Sequence, residues 1–402
     1  MMRSVEEQQA VVRGLARLMP TEILPLAAAE GRVLAVDVTA RVAVPPFTNS
    51  SMDGYAVRAA DVTTVPVVLD VVADVPAGAT EIPRIDAGQA ARTMTGAPLA
   101  EGADLIIPVE NTDQPRGQAP LPQQVEIRDA GTAGSFVRPL GQNTQPGDAV
   151  LSAGAVLTPA ALSSLASTGH AEAEVFVRPR VAVISTGDEL VAPGQPLEPG
   201  QIPDSNGFLV AGLARRFGAE VIATRRATDE TDEFRRIFRE VAADADVVVT
   251  TGGVSVGAFD VVRSVLTEAE FTPVAMQPGK PQACGRLEID GRSVAFLGLP
   301  GNPVSVFVSS WVFLRELLGA MTGCAIPWRQ LEFEALEDWQ CPSNRRQYIP
   351  LVIEEHGVRP AHVQGSGSHL VASLVRAQAI GVVPADTERV QAGDRIAVHL
   401  VE

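Results

Sequence analysis

From Arg180 onward, short apolar runs alternate with amphipathic stretches, and this constrains the fold more than any other feature of the 402-residue chain. Val181–Ile184, Val221–Thr224 and Asp246–Thr250 read as short buried strands. Asn206–Phe217 and Thr231–Ala243 carry apolar residues at helical spacing: Leu209, Val210, Leu213 and Phe217 in the first, Phe234, Ile237, Phe238 and Val241 in the second. Thr231 is placed to N-cap the second of these helices. A further helix follows Asp260. Thr272–Met276, Leu287–Asp290 and Ser293–Leu297 read as strands, and Asn302–Leu318 as a long buried helix. Such alternation predicts a parallel sheet with helices on both faces.

The flanks have a different texture. The first twenty or so residues read as a helix ended by Pro20. Ala43–Asp148 alternates β-branched runs with Gly/Pro turns, the pattern of antiparallel β structure, with a loop at Asp113–Pro122. After Pro327 the texture is β again, about the size of a small barrel or sandwich. The hydrophobic content of 46% and charged content of 20% fit a globular chain. A net charge of −16 argues against a nucleic-acid binder, since the phosphate backbone demands a basic face. Three cysteines, odd in number and without C-x-x-C spacing, disfavour a disulfide framework or zinc site and fit a reducing cytoplasm. The N-terminus lacks the pattern of a signal peptide, and Val304–Leu314 is too short and serine-rich to span a bilayer.

Every unusual segment of the α/β block falls at the end of a predicted strand. Ser185-Thr-Gly-Asp-Glu189 follows the first and Thr250-Thr-Gly-Gly-Val-Ser-Val-Gly257 the third. Pro278-Gly-Lys-Pro281 and Gly298-Leu-Pro-Gly-Asn-Pro303 follow later ones. In open parallel sheets the loops at the strands' carboxyl ends line the ligand crevice. Each glycine alone fits a tight turn, whereas four such loops carrying acidic residues point to a site. Gly252, Gly253 and Gly257 let backbone N–H groups approach an anion. Ser185, Thr186 and Ser255 add hydroxyl donors, and the helix after Asn302 adds its positive end. Asp188, Glu189 and Asp260 would repel that anion unless a divalent cation lay between them, and hard oxygen ligands select Mg²⁺. The residues therefore read as a phosphate or pyrophosphate site with Mg²⁺, with a nucleotide one form of the ligand.

Two common nucleotide motifs are absent. Pro281 stands where a P-loop requires Ser or Thr, and Gly252–Gly257 does not satisfy G-x-G-x-x-G. The five histidines are scattered, which suits structural or surface roles. Of the 32 basic residues, Lys280 is the one lysine. In the β-rich part, Pro45-Pro-Phe-Thr-Asn-Ser-Ser-Met-Asp-Gly-Tyr-Ala-Val57 is polar at its centre, and its Asp53-Gly54 pair reads equally well as a hairpin turn. Arg92-Thr-Met-Thr-Gly-Ala-Pro98 reads as a strand end entering a turn.

Taken together and in this order, these segments, with Asp204-Ser-Asn206, resemble the molybdopterin molybdenumtransferases, the MoeA family that includes the gephyrin E domain. The likeness runs over nearly the whole chain. It implies a multidomain α/β-plus-β fold. A discontinuous mixed domain would occupy residues 1–45 and 146–178, and a β-rich domain 46–145. An α/β molybdopterin-binding domain of three layers would occupy 179–327, and a small β-barrel 328–402. It implies Mg²⁺-dependent insertion of molybdate into adenylylated molybdopterin with release of AMP, in a cytoplasmic homodimer. A molybdopterin adenylyltransferase and acceptor molybdoenzymes would be its partners, and neither nucleic acid nor membrane would be bound. The implied catalytic residues are Asp53, Thr95, Glu189, Asp260 and Lys280. Substrate would lie against Ser185, Thr186, Gly187 and Asp188, against Asp204 and Ser205, against Gly252, Gly253, Val254 and Ser255, and against Pro300, Gly301 and Asn302. Asp188, Glu189 and Asp260 would hold the metal. Lys280, Pro281, Ser305, Arg345 and Ser368 would surround the molybdate.

The chain departs from the family pattern at four places. Gln277 stands where a lysine is usual, Gln142 and Asn143 replace a Glu-Asp pair, and Asn344 replaces a glycine. Amides exchange hydrogen bonds but do not neutralise charge. Those substitutions leave open a divergent paralogue that binds molybdopterin without turnover. A tungstate-preferring insertase and an adenylyltransferase are further alternatives, the last disfavoured by the flanking domains.

Overall fold

The structure, a computed structural model, describes residues 2–254 and 260–401. The central sheet has six strands in the order Glu220–Ala227, Arg180–Thr186, Val247–Thr251, Arg292–Leu299, Pro281–Ile289 and Glu270–Pro273. The first four are parallel, and at one edge Pro281–Ile289 runs antiparallel to both of its neighbours. Successive side chains of Arg180–Thr186 enter opposite cores. Val181 and Val183 pack with Trp311 and Phe313, while Ala182 and Ile184 pack with Phe234 and Phe238. Burial on both faces explains why the strand reads as a continuous apolar run. Helix Thr231–Ala242 covers one face but is capped from Glu230 without a side-chain bond, so Thr231 is its first helical residue and not its cap.

Helix Pro303–Met321 covers the other face. It is long and apolar enough to cross a bilayer, but 89% of its apolar window is buried inside the fold. It turns through a π segment at Ser310–Leu314. The N-terminal helix Val5–Gly14, closed by a Ser4–Glu7 capping box, packs Val5 and Val12 into the same core. The first helix of segment 1–45 thus packs against the α/β unit.

In the β-rich part, five strands run in the order Leu105–Pro108, Gly54–Val57, Gln89–Thr93, Val67–Val75 and Gln124–Ile127. The Val67–Val75 and Gln89–Thr93 pair is parallel, where antiparallel pairing throughout was expected. Asp53-Gly54 is not a hairpin turn. Gly54 opens a strand hydrogen-bonded on both sides. A Cβ there would lie 1.9 Å from the Ile107 carbonyl oxygen, so only glycine lets the two strands approach.

Residues after 328 form a small barrel. Gln330–Glu334, Arg395–Leu400, Ala379–Val383, Arg346–Glu354 and Gly357–Pro360 pair in sequence round the sheet. A bridge from Ala335 to Val358 closes it. Its sheet gains one strand from outside, Met276–Gln277, which runs parallel to Arg346 and Gln347.

Gly54→Ala should destabilise the β-rich unit by about 3 kcal/mol, the upper end for overpacking a filled core. Hydrogen exchange at residues 55–57 and 105–107 would show it as lost amide protection. Unchanged protection would mean that the sheet relaxes at no cost.

Candidate functional site

A crevice of about 690 Å³ opens at the carboxyl edge of the parallel strands. It is lined by Thr186, Gly187 and Glu189 after the first strand, and by Thr251, Gly252 and Gly253 after the third. Asp204, Ser205 and Asn206 enter it from the start of one helix, and Gly301, Asn302 and Pro303 from the start of another. Gly252 and Gly253 adopt φ of 93° and 65°, a region other residues rarely occupy. A Cβ on Gly252 would meet the Thr186 carbonyl at 2.7 Å, and one on Gly253 would meet the Val262 side chain at 2.3 Å. The paired glycines thus let the third loop fold against its neighbours.

Several expected donors are already engaged. The Gly252 N–H donates to the Leu299 carbonyl (3.0 Å) and the Gly187 N–H to that of Ala227 (3.2 Å), so neither is offered to an anion. The Ser185 hydroxyl is fully buried and donates to Asp204 Oδ1 at 3.0 Å. The Gly207 N–H reaches the same oxygen at 3.1 Å. Ser185 therefore orients Asp204 and does not itself line the crevice. Val254 is a core side chain lying under Gly298, and Pro300 is buried. Ser255 and Gly257 lie outside the described residues.

Other polar groups remain unsatisfied. Thr251 is 1% exposed and its hydroxyl has no partner. The Asn206 side chain donates to the Gly301 carbonyl at 2.6 Å, while its buried Oδ1 is unpartnered. Buried polar atoms are normally paired, so orphans on residues that line a crevice fit a polar ligand.

The acidic side of the crevice contains a residue the motifs did not reveal. Asp229, just past the second strand, lines it together with Glu189, Asp204 and Asp260. Burial, then the neighbouring Asp188 carboxylate, and further Glu189 and Asp260, push the Asp229 carboxyl above its usual range. Asp188 is exposed and outside the lining, and it accepts the Asp229 N–H at 2.9 Å. Asp260 accepts the Arg263 N–H at 3.1 Å and caps the short helix Val261–Val265. Among the described residues no three acidic, His or Cys side chains stand together as a ligand set. The donors fit a hard divalent cation in charge and oxygen type without having converged on one. Asp229 was legible only from its place after a parallel strand.

The residues expected around the oxyanion lie outside the crevice lining, on helix Pro303–Met321 and on the segments packed against it. Lys280 is exposed at the tip of a turn. Buried Gln282 pins that turn, donating from Nε2 to the Gly279 carbonyl (2.7 Å) and to Ser309 Oγ (2.8 Å) of the helix. Sequence reading gave Gln282 no role. The turn leaves the short strand Met276–Gln277, whose register sets Met276 opposite Arg346, next to Arg345. The Val304 N–H donates to the Ser368 carbonyl at 3.0 Å. Ser305 is only 4% exposed, and Pro281 and Ser368 are half-buried. Pro281 begins an antiparallel strand, so the turn reaches the carboxyl edge by a different route from the βα loops. Asn344 has φ of 56°, the left-handed region that glycine favours and asparagine tolerates, which explains the exchange.

Asp53 and Thr95 meet each other but not this crevice. Asp53 Oδ1 accepts the Thr95 N–H at 2.7 Å and the Thr95 hydroxyl at 2.8 Å. The backbones of Ser50 and Gly96–Ala97 lace the two motifs together. Asp53 opens on a second cavity of about 830 Å³, walled by Tyr55, Arg92 and the loop 114–120. Gly141-Gln-Asn143 hydrogen-bonds to Val44 and Pro45 at the entry to this unit. Gln142 and Asn143 are exposed there.

Comparison with known proteins covers almost the whole chain. Residues 3–169 match the MoeA N-terminal region (domain I and II), 182–320 a probable molybdopterin binding domain, and 332–401 the MoeA C-terminal region (domain IV). The chain is 39% identical to molybdopterin molybdenumtransferase 2 of Mycobacterium tuberculosis, covering 99% of each. It is 35% identical to the molybdopterin molybdenumtransferase of a Nostoc species, over 94% of this chain and 88% of that one. Among solved structures, a molybdopterin biosynthesis MoeA protein from Pyrococcus horikoshii OT3 superposes with a TM-score of 0.84 at 25% identity, covering all of both chains.

The Thr95 backbone N–H, and then its hydroxyl, hold the Asp53 carboxyl below the usual range. Thr95→Val deletes the hydroxyl alone, so the Asp53 pKa should rise towards its ordinary value while staying depressed. Carboxyl-carbon NMR titration would read this. An unmoved pKa would leave the backbone N–H as the whole cause.

Proposed function

The chain belongs to the molybdopterin molybdenumtransferase family, and from that premise we propose that it inserts molybdate into adenylylated molybdopterin and releases AMP in a Mg²⁺-dependent step. One juxtaposition supports this most strongly. An acidic crevice with unsatisfied polar groups reaches the start of helix Pro303–Met321, and the turn bearing the chain's one lysine is braced on the same helix at Ser309. The crevice suits a pyrophosphate with its cation, and the lysine turn suits a small oxyanion.

The Thr251 hydroxyl and the Asn206 amide oxygen would bind polar atoms of the substrate. Glu189, Asp229 and Asp260, with Asp188 beside Asp229, would hold Mg²⁺. The bound ion supplies charge neutralisation on the pyrophosphate. The Lys280 ammonium and the Arg345 guanidinium would draw molybdate to the dithiolene sulfurs. Water then adds across the phosphoanhydride bond and AMP leaves. An ammonium is a compact point charge, better suited than a planar guanidinium to a small tetrahedral anion in a tight turn.

Asp53 and Thr95 would complete the site across a homodimer, from the β-rich unit of the second copy. Their cavity lies apart from the crevice in one chain, which supports this arrangement. A cytoplasmic location, an adenylyltransferase as donor partner and molybdoenzymes as acceptors belong to the same reading.

Purified protein incubated with adenylylated molybdopterin, Mg²⁺ and molybdate should release AMP and form active cofactor. No AMP above background would sink the proposal and favour the non-catalytic binder. AMP release without dependence on molybdate would point away from insertion. Lys280→Ala should lower the insertion rate about a hundredfold or more, the scale for losing one oxyanion contact. Its fold should be unaffected, because the side chain is exposed. Wild-type rates in that variant would reduce the lysine to surface charge.

A further inference from the structure

The crevice has a conspicuous charge imbalance. Glu189, Asp204, Asp229 and Asp260 line it, and no arginine or lysine does among the described residues, although the chain carries 31 arginines. The segment 255–259 contains no basic residue in the sequence either. Among the described residues, a single lining side chain can carry positive charge: His369, which enters from the C-terminal barrel beside Val371.

We infer that His369 is a substrate-binding residue that donates a hydrogen bond to the pyrophosphate of the substrate; this rests on the insertase reading above. An imidazole donates from a ring nitrogen and becomes a cation on protonation, so it can serve a phosphoryl oxygen where the carboxylates cannot. Its position is built into the fold. Gln347, 2% exposed, donates to Ser366 Oγ at 3.1 Å. The Arg376 guanidinium donates to the Ala361 carbonyl at 2.9 Å. The Val304 N–H donates to the Ser368 carbonyl at 3.0 Å, which seats the loop on the helix one residue before the histidine. His369 thus stands at the rim of the crevice on a loop tied at three points. With Gln277 in place of a lysine, it supplies a ring N–H donor from the barrel.

Isothermal titration of the full-length protein with inorganic pyrophosphate and Mg²⁺ tests this. His369→Ala should weaken binding about tenfold, as expected for a lost charge-assisted bond. His369→Arg should stay within about threefold of wild type, and His369→Gln, which keeps a neutral donor, should fall between. With adenylylated molybdopterin, His369→Ala should raise KM more than it lowers kcat. Pyrophosphate affinity of His369→Ala within twofold of wild type overturns the inference, whatever turnover shows. Failure of the wild type to release AMP, with His369-dependent pyrophosphate binding intact, overturns the insertase reading alone.

Discussion

The packing of helix Pro303–Met321 is the constraint on which both halves of the site depend. The helix and the loop that opens it receive contacts from four separate stretches of chain. Gly301 lies 3.5 Å from the Gly252 Cα position for a built Cβ, close enough that the two loops interlock. Asn206 holds the Gly301 carbonyl, Ser368 takes the Val304 N–H, and Gln282 reaches Ser309. The remainder of the helix is fixed by burial among Trp311, Val312, Phe313 and Leu317, and dense apolar packing of this kind leaves little room for adjustment. The acidic crevice and the lysine turn are therefore held in register by one rigid body, although they come from distant segments of sequence.

Much of this was legible before any coordinates. The strands Arg180–Thr186 and Val247–Thr251 announced themselves because both faces are buried, and their loops fell where a parallel sheet puts ligands. The long helix was legible from length and apolarity alone. What stayed hidden was pairing between distant segments. Nothing local in Met276–Gln277 says that it joins the barrel's sheet, and nothing in Gln282 says that its amide braces a turn. Asp229 sits beside Arg225 and Arg226 in a polar stretch and carries no motif. His369 looked like one of five scattered imidazoles. In the other direction, Ser185 and the Gly252 N–H looked free in the sequence, because a hydrogen bond to Asp204 or Leu299 leaves no trace in spacing.

Electrostatics shape the molecule on two scales. The net charge of −16 sets a field that opposes anionic ligands at long range. Under the proposed function, attraction is then short-range and placed by the fold: one ammonium on a braced turn, orphaned hydroxyl and amide oxygens, and a cation that the carboxylates would hold. The raised Asp229 carboxyl reflects the same crowding of negative charge, with burial as the larger cause. The missing lysine at Gln277 sharpens this economy without abolishing it.

The two-residue strand Met276–Gln277 gives the domains a shared seam. It is covalently part of the α/β unit, yet its backbone partners, Arg346 and Gln347, belong to the barrel. A rigid rotation of the barrel would have to unzip that ladder or carry the lysine turn along with it. The barrel is therefore less an appended module than a handle on the lysine turn. Excising it would strip the strand of its partner and leave the turn attached to a loose edge, so the smallest unit able to hold both halves of this site is larger than the α/β domain that contains most of its residues.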